Sequence, residues 1–576
     1  MLHVHYSNRL EILADQLAER LRQPCGSPFL PELIIVQSTG MARWLSLYLA
    51  RRLGICAQVR FPFPAAFVWE LFHRRLRQVP EISPFAPEVL TWRIMALLET
   101  LEESPRFAPL QAYCADGNDS TRFALASRIA ALFDQYLLYR PDWIVQWERG
   151  EEEHWQAELW RRLVTSNGLH RVRLHGQLLA TLQAVGVAQV GLPARVSLIG
   201  IPTMPPLYLE VFAALANCLD VQAFVLNPCQ HDWRNVKTVP PGTVAAHAEP
   251  TGNRLLASLG TLGRDFIDLV QAHQPQVHTH FVEPGNDTLL HCLQSDILHG
   301  RQRGTAAWPA TPLQPDDGSV QVHVCHSRMR EVEVLYDQLV RLFEMVPGLQ
   351  PADVLVMTTD IEAYAPLMEA VFTVRDRELP LSIAERSPDA ESPLVNGFFS
   401  LLALPDSRYA ADQIFALLEL AAIQRRFAFE ARDLPLLQRR LRETGVRWGL
   451  DQDSRAAAGL PAIREHTWRA GLDRLLLGYA LPGDQGQCFA DLLPYEAVEG
   501  AETQLLGRLH SFTEATFGLA TTLRQPRPIE QWLVTLNAVL EQFFAPDEVE
   551  ELEVQASRSA LQHLAQSAMQ ASFALA

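Results

Sequence analysis

Lysine is almost missing from these 576 residues: of 49 basic side chains, only Lys237 is a lysine. The absence matters most at Ile34–Leu45, IIVQSTGMARWL. An apolar strand there runs into a small polar turn, Gln37-Ser38-Thr39-Gly40, and a helix follows at once. A nucleotide-driven motor sets its phosphate loop at such a junction, with Gly-Lys-Ser/Thr opening the helix. Here the triplet is Gly40-Met41-Ala42, which has nothing to reach a β/γ-phosphate. Lys237, in Asn235-Val236-Lys237-Thr238, stands in a poor phosphate-loop context. The architecture is motor-like and the nucleotide chemistry is missing.

Other absences narrow the reading. No run of ~18 uncharged apolar residues occurs, so no membrane span is expected. The first residues, MLHVHYSNRL, lack a basic stretch leading into an apolar core, so no signal peptide is read. Eight cysteines are scattered from Cys25 to Cys488 without a CxxC pair. That reads as reduced thiols in a cytoplasmic protein rather than a disulfide or zinc framework. Cys229 and His231 have no second ligand pair at zinc spacing, and Arg140-Pro141-Asp142 lacks the lysine a PD-(D/E)xK nuclease needs. There is no Gly-x-Ser-x-Gly nucleophile motif. No catalytic residue, metal or cofactor is expected.

What is present is a long chain of ordinary globular composition, 48% hydrophobic and 9% aromatic. One core rarely serves beyond ~250–300 residues, so several domains are expected. The net charge of −17 argues against a uniformly basic, DNA-coating surface. It leaves room for nucleic acid in a channel whose lining differs from the exterior. The abundant arginine suits bidentate phosphate and guanine contacts; a bias in genome base composition also produces it.

The opening grammar is α/β. A strand around Val4 precedes a helix bearing Leu10, Leu13, Leu17 and Leu21, with Ser7 or Asn8 as its cap. Strand Leu33–Val36, helix Met41–Leu53 closed by Gly54, a strand Ile55–Val59 and a helix with Phe67, Trp69, Leu71 and Phe72 follow. Residues 87–185 read mostly helical. One helix there is capped by Ser120, carries Leu125, Ile129, Leu132, Phe133 and Tyr136, and stops at Pro141. Strands Val196–Ile199 and Val221–Leu226 then flank another helix, and Pro228–Gly252 is loop-rich.

Gly304–Gly318 has three prolines and no apolar period, which predicts a linker. After it the opening grammar returns: a strand Val320–Val324, a helix from about Met329 to Phe343 capped by Ser327, and a strand Val354–Met357. Ser7 and Ser327, Glu11 and Glu331, and Thr39 and Thr359 are each spaced by 320 residues. The spacing predicts two α/β units of one plan; generic βαβ lengths are the rival explanation. From Ser392 on the chain reads helical, and it stops inside a helical pattern, which predicts a truncated second unit.

Six stretches together resemble one family: LIIVQSTGMARWL, FPFPAAFVWELF, LFDQYLLYRPDWIVQWE, VCHSRMREVEVLYDQL, LPDSRYAADQIFALL and GVRWGLD. They are similar to the RecC subunits of bacterial RecBCD complexes, in the family's order and across most of the chain. The resemblance is to the N-terminal half of such a subunit. It implies an α/β fold of two superfamily 1 helicase-like (P-loop-NTPase-like) units without ATPase motifs. The first unit would span 1–303, with a helical insertion at about 75–190; the linker would be 304–318. The second would span 319–576, with its α/β core at 319–390 and a helical insertion from 391. The implied function is a non-catalytic channel and scaffold subunit of exodeoxyribonuclease V, which guides unwound strands and reads the Chi sequence. The implied partners are RecB-like and RecD-like subunits in a heterotrimer, and single- and double-stranded DNA ends, with no membrane.

Carried over motif by motif, the Chi-reading surface implies Gln37, Thr39 and Arg43 at the turn and Phe63 and Trp69 in the next motif. It implies Leu132, Asp134 and Gln135 on the helix before Pro141, Arg140 after it, and Arg171 in the basic stretch His170-Arg171-Val172-Arg173. The chemistry fits residue by residue. Gln37 and Gln135 offer paired donors and acceptors to a base edge. Thr39 sits where helix-start N–H groups meet phosphate. Trp69 and Phe63 can stack bases. Arg140 and Arg171 suit phosphate or guanine, and Asp134 a cytosine amine or a neighbouring arginine. Each has a plainer rival: core packing for Trp69 and Leu132, solvated helix surface for Asp134 and Gln135, helix capping for Arg140. Arg43 stands where the family has glutamine, Phe63 where it has leucine, and Ala131 where it has an acidic residue. The resemblance therefore leaves open a variant octamer, or none. Two other functions stay open: an autonomous helicase or nuclease with divergent motifs, and a scaffold binding only proteins.

Overall fold

A computed structural model describes residues 1–23, 30–77, 79–100, 105–115, 117–164, 168–184, 192–236, 252–312, 314–373, 379–383, 392–481, 487–495, 500 and 502–573. Lys237, Cys25, and much of the loop expected at 228–252 lie outside them. The chain divides into two compact units, Met1–Val322 and His323–Ala576.

The first unit is built on a six-stranded, all-parallel sheet. Its strands are β1 (Leu2–Ser7), β2 (Glu32–Ile35), β3 (Val59–Arg60), β4 (Arg195–Ile199), β5 (Asp220–Leu226) and β6 (Gln276–Thr279), in the order β3-β2-β4-β5-β1-β6. A parallel sheet must be covered on both faces, and alternation along β2 shows how. Ile34 and Val36 pack with Leu13, Leu17, Leu45 and Leu49, from α1 (Leu10–Leu21) and α2 (Thr39–Leu53). Leu33 and Ile35 face the opposite core with Phe67, Phe72 and Phe212, from α3 (Pro64–Arg75) and, further on, Pro206–Leu215. The α/β class with a parallel sheet is thus present.

The helical middle is also present: α4 (Pro87–Glu99), α5 (Ala108–Tyr113), α6 (Asp119–Tyr139), α7 (Pro141–Arg149), α8 (Trp155–Val164) and α9 (Arg171–Ala184) precede β4, and α10 (Pro206–Leu215) follows it. After β5 come α11 (Arg254–Leu259), α12 (Thr261–Ala272) and, beyond β6, α13 (Leu289–Leu298). Residues 304–318 lean back on this unit: Asp317 accepts from Leu289 N at 2.6 Å, and Trp308 lies under the Arg301 guanidinium.

Several local expectations are corrected. Neither Ser7 nor Asn8 caps α1. Ser7 ends β1 and its Oγ donates to His280 O, while Asn8 exchanges hydrogen bonds with the Val282 backbone, so both side chains serve the segment after β6. Asn118, not Ser120, caps α6, accepting from Ser120 N. The strand expected at Ile55–Val59 shrinks to Val59–Arg60, because Gly54 ends α2 in the left-handed conformation and the chain needs the following residues to turn back.

The larger correction concerns the second unit. Val320–Val324 and Val354–Met357 form no strand ladder. Val324 is 95% and Met357 84% exposed, with nothing hydrogen-bonded beside them in a sheet among the described residues. A strand exists only with a neighbour to receive its backbone bonds, and no described segment supplies one. The flanking helices do form. Ser327 caps α14 (Arg328–Met345) and Asp360 caps α15 (Ile361–Phe372). The two pack through Val332, Tyr336, Leu339, Met368 and Phe372, and Tyr364 donates to Glu331 at 2.7 Å. In the first unit Tyr48 of α2 likewise ties back to α1, donating to Asp15 at 2.8 Å. The rest of the second unit is a helical bundle from Pro393–Leu402 to Glu550–Gln570, around Trp468, Phe512 and Phe543. No helix among the described residues is long and apolar enough to cross a membrane.

Candidate nucleic-acid interface

Carboxyl ends of strands in an open parallel sheet gather loops and helix N-termini at one edge, where such folds bind ligands. Gln37 and Thr39 lie there, both exposed. Ser38 caps α2, its Oγ accepting from Met41 N at 3.1 Å; the exposed Arg43 lies one turn along. Val36 N donates to Pro62 O, which brings the turn after β2 beside the turn after β3. Phe63 is the N-cap residue of α3 there, 40% exposed. Gly200, after β4, completes this edge with φ +69°; a Cβ on it would stand 2.7 Å from Met41 Cε.

Trp69 lies on α3 between the fully buried Phe67 and Phe72. It is itself only half-buried, edge-on to Phe72 at 5.7 Å. Helix α3 packs against α9 and α10, and both of those touch α6. Across that contact Arg171 of α9 donates to Asp134 of α6 at 3.1 Å. Burial pushes the Asp134 carboxyl above its ordinary value, Arg171 opposes this, and Glu88 adds to it. Leu132 is half-buried beside the α6 stripe, whose fully buried members are Ile129, Phe133 and Leu137; Gln135 is exposed.

Arg140 goes elsewhere. It ends α6 and makes a two-pronged pair with Asp142 at 3.1 and 2.9 Å, with its guanidinium 3.7 Å from the Trp143 ring centre. The basic stretch His170–Arg173 is also neutralised from within. Arg173 and the buried His170 both meet Glu148, at 2.7 and 2.6 Å, and these partners hold the Glu148 carboxyl down to about 2 although burial opposes them. The structure therefore brings Gln37, Thr39 and Phe63 to one sheet edge and joins Asp134 to Arg171. It turns Arg140 toward a separate aromatic groove.

The family model described as "RecC, N-terminal domain" matches residues 2–300. The chain belongs to the RecC family. A second model, "RecBCD enzyme subunit RecC fourth domain", matches residues 391–576. RecC of Escherichia coli K12 is 38% identical over 95% of this chain and 54% of its own length. RecC of Haemophilus influenzae is 33% identical over 95% and 54%, and that of Mycolicibacterium smegmatis 31% over 95% and 52%. The chain spans about half the length of these RecC relatives.

One feature escaped the sequence reading. His3 and His5 of β1 and His278 and His280 beside them share one face of the sheet. His3 Nδ1 lies 3.3 Å from His278 Nε2, and His5 Nδ1 lies 3.2 Å from His280 Nε2. The rings of His5 and His278 stack at 4.7 Å, and His5 Nε2 donates to Gln222 at 2.8 Å. The signal was available as His-Val-His at 3–5 and His-Thr-His at 278–280, histidines at strand period.

Proposed function

We propose that this RecC-family chain is part of a non-catalytic DNA-channel and scaffold subunit of a RecBCD-type helicase–nuclease. In this reading it guides unwound strands and recognises a Chi-type sequence during recombinational repair of double-strand breaks. In this reading its units, 1–303 and 319–576 about a 304–318 linker, derive from a superfamily 1 helicase plan without ATPase motifs, the second with no strand ladder among its described residues. Its partners are RecB-like and RecD-like subunits and DNA ends in the cytoplasm. Gln37, Thr39, Arg43, Phe63, Trp69, Leu132, Asp134, Gln135, Arg140 and Arg171 are the proposed reading residues.

One observation carries the reading. The β2–α2 junction keeps the position and helix N-terminus of a phosphate loop, with Gln37 and Thr39 exposed on it and Met41 packed where the lysine would stand. Such an edge retains amide donors and polar side chains for a strand, with no lysine at the helix start to engage a triphosphate. The relatives' name, RecBCD enzyme subunit RecC, supplies the assembly.

The test is ATP turnover with DNA. The isolated chain is expected to show none, and reconstitution with RecB-like and RecD-like subunits to give end resection that responds to a specific octamer. Turnover that stays with the chain through purification would sink the reading.

A further inference from the structure

Helices α6, α7 and α8 enclose an open groove of about 550 Å³ lined by Tyr136, Trp143, Trp147, Glu152, His154 and Trp155. Its rings brace one another: Tyr136 is edge-on to Trp147 at 5.5 Å and to Trp143 at 5.4 Å, and Trp147 meets His154 at 5.2 Å. The loop forming one wall is fixed in advance. Gly150 turns it in the left-handed conformation, and Arg161 Nη1 donates to both Trp147 O and Glu152 O at 3.0 Å.

Charge tells what this groove fits. Of three successive acids, Glu151 is met by Arg149 and Glu153 by Arg106, whereas Glu152, on the groove, has no ion pair among the described residues. Among the described residues no arginine or lysine lines the groove. A phosphodiester would meet repulsion there, while a cation would gain both a carboxylate and ring faces. The fold already shows the chemistry next door, where the Arg140 guanidinium lies on Trp143 and is neutralised by Asp142. The exposed Glu152 and the partly exposed Trp155 supply those parts again without the arginine.

We infer that this groove seats an arginine side chain presented by a protein partner, with the partly exposed Trp155 indole as its wall, the buried Trp147 as the floor beneath, and Glu152 as its counter-charge. Guanidinium suits the seat better than ammonium because its flat, weakly hydrated face stacks on indole. The site is separate from the proposed reading of DNA, apart from the wall that Arg140 shares.

The whole chain, labelled with ¹⁵N at its tryptophan indoles, is titrated with N-acetyl-arginine amide, with its neutral isostere N-acetyl-citrulline amide, and with a thymidine 12-mer. The arginine amide is expected to shift the Trp155 indole saturably and the citrulline amide at least about fivefold more weakly. Glu152→Gln should weaken arginine binding about fivefold, and Trp155→Ala should remove it. Glu152 is exposed, so its variant tests the seat without disturbing the core. The inference is overturned by an absence of saturable arginine binding, by equal binding of the two amides, or by an unchanged Glu152→Gln variant. Displacement of the arginine amide by the thymidine 12-mer would overturn it in favour of a nucleobase site.

Discussion

Arg171 and Asp134, 37 residues apart, meet at 3.1 Å across the contact between α9 and α6, each side chain about one-quarter exposed. Both are proposed to read DNA, and each is spoken for by the other. A base that engages Asp134 must compete with a guanidinium already in place, so the pair acts as one unit. A double-mutant cycle on Asp134→Ala and Arg171→Ala, read by urea unfolding, should give a coupling of ~0.5–1 kcal/mol. In the assembled complex Asp134→Ala should spare unwinding and alter the response to Chi. Loss of unwinding or of expression would make the pair structural.

Trp69 and Phe67 differ by two positions and should differ in kind. Phe67→Ala empties a fully buried site and should cost ~3–5 kcal/mol in unfolding free energy. Trp69→Ala should cost clearly less, and should weaken single-stranded DNA binding of the complex by ~1–3 kcal/mol if a base stacks there. Equal stability losses with unchanged DNA binding would place Trp69 in the core alone.

The four-histidine face predicts an acid sensitivity. Burial holds His5 down to about 4 against an ordinary 6.5, the charges of His278 and His280 push the same way, and the Gln222 hydrogen bond opposes. His3 and His280 are also lowered, chiefly by burial. The fold keeps His3, His5 and His280 neutral to lower pH than the unfolded chain does, so unfolding takes up protons at these three rings. Stability from this face is therefore complete above about pH 6.5, declines as pH falls toward 4, and is flat below. Urea midpoints measured between about pH 7 and pH 5 should fall, and His278→Gln should flatten that slope. An unchanged slope would remove the histidines from the account.

The exposed apolar side chains of Val324 and Met357 in the second unit are an association hazard, since uncovered apolar segments with unpaired backbone template pairing with other chains. Val324→Lys combined with Met357→Lys should raise the soluble, monomeric fraction of the isolated chain, measured by light scattering. A rise in aggregation instead would mean that these side chains are covered in solution.

Much of the first unit was legible because parallel strands are continuous apolar runs and their helices keep strict period. Ile34–Val36, the Gly54 stop and the Pro141 boundary all stand close to where the pattern put them. Caps were less legible: Ser7 and Asn8 have the right chemistry for one, but the segment that follows β6, at His280 and Val282, claims them. The second unit misled for a related reason. Val320–Val324 has a strand's composition, and composition carries no information about whether a neighbour is there to pair with it. At the candidate site the residue types were readable and the pairings were not. Nothing local in the sequence links Asp134 to Arg171, or turns Arg140 onto Trp143 rather than outward.

Met41 leans on Gly200, whose missing side chain is the space it occupies. The turn after β2 and the turn after β4 are therefore fitted to each other at this one contact. An amine introduced at position 41 would inherit a seat moulded to a thioether, facing inward across the neighbouring strand's exit. A longer or charged side chain at position 41 would have to be accommodated by both turns together, so a substitution there is also a change against position 200.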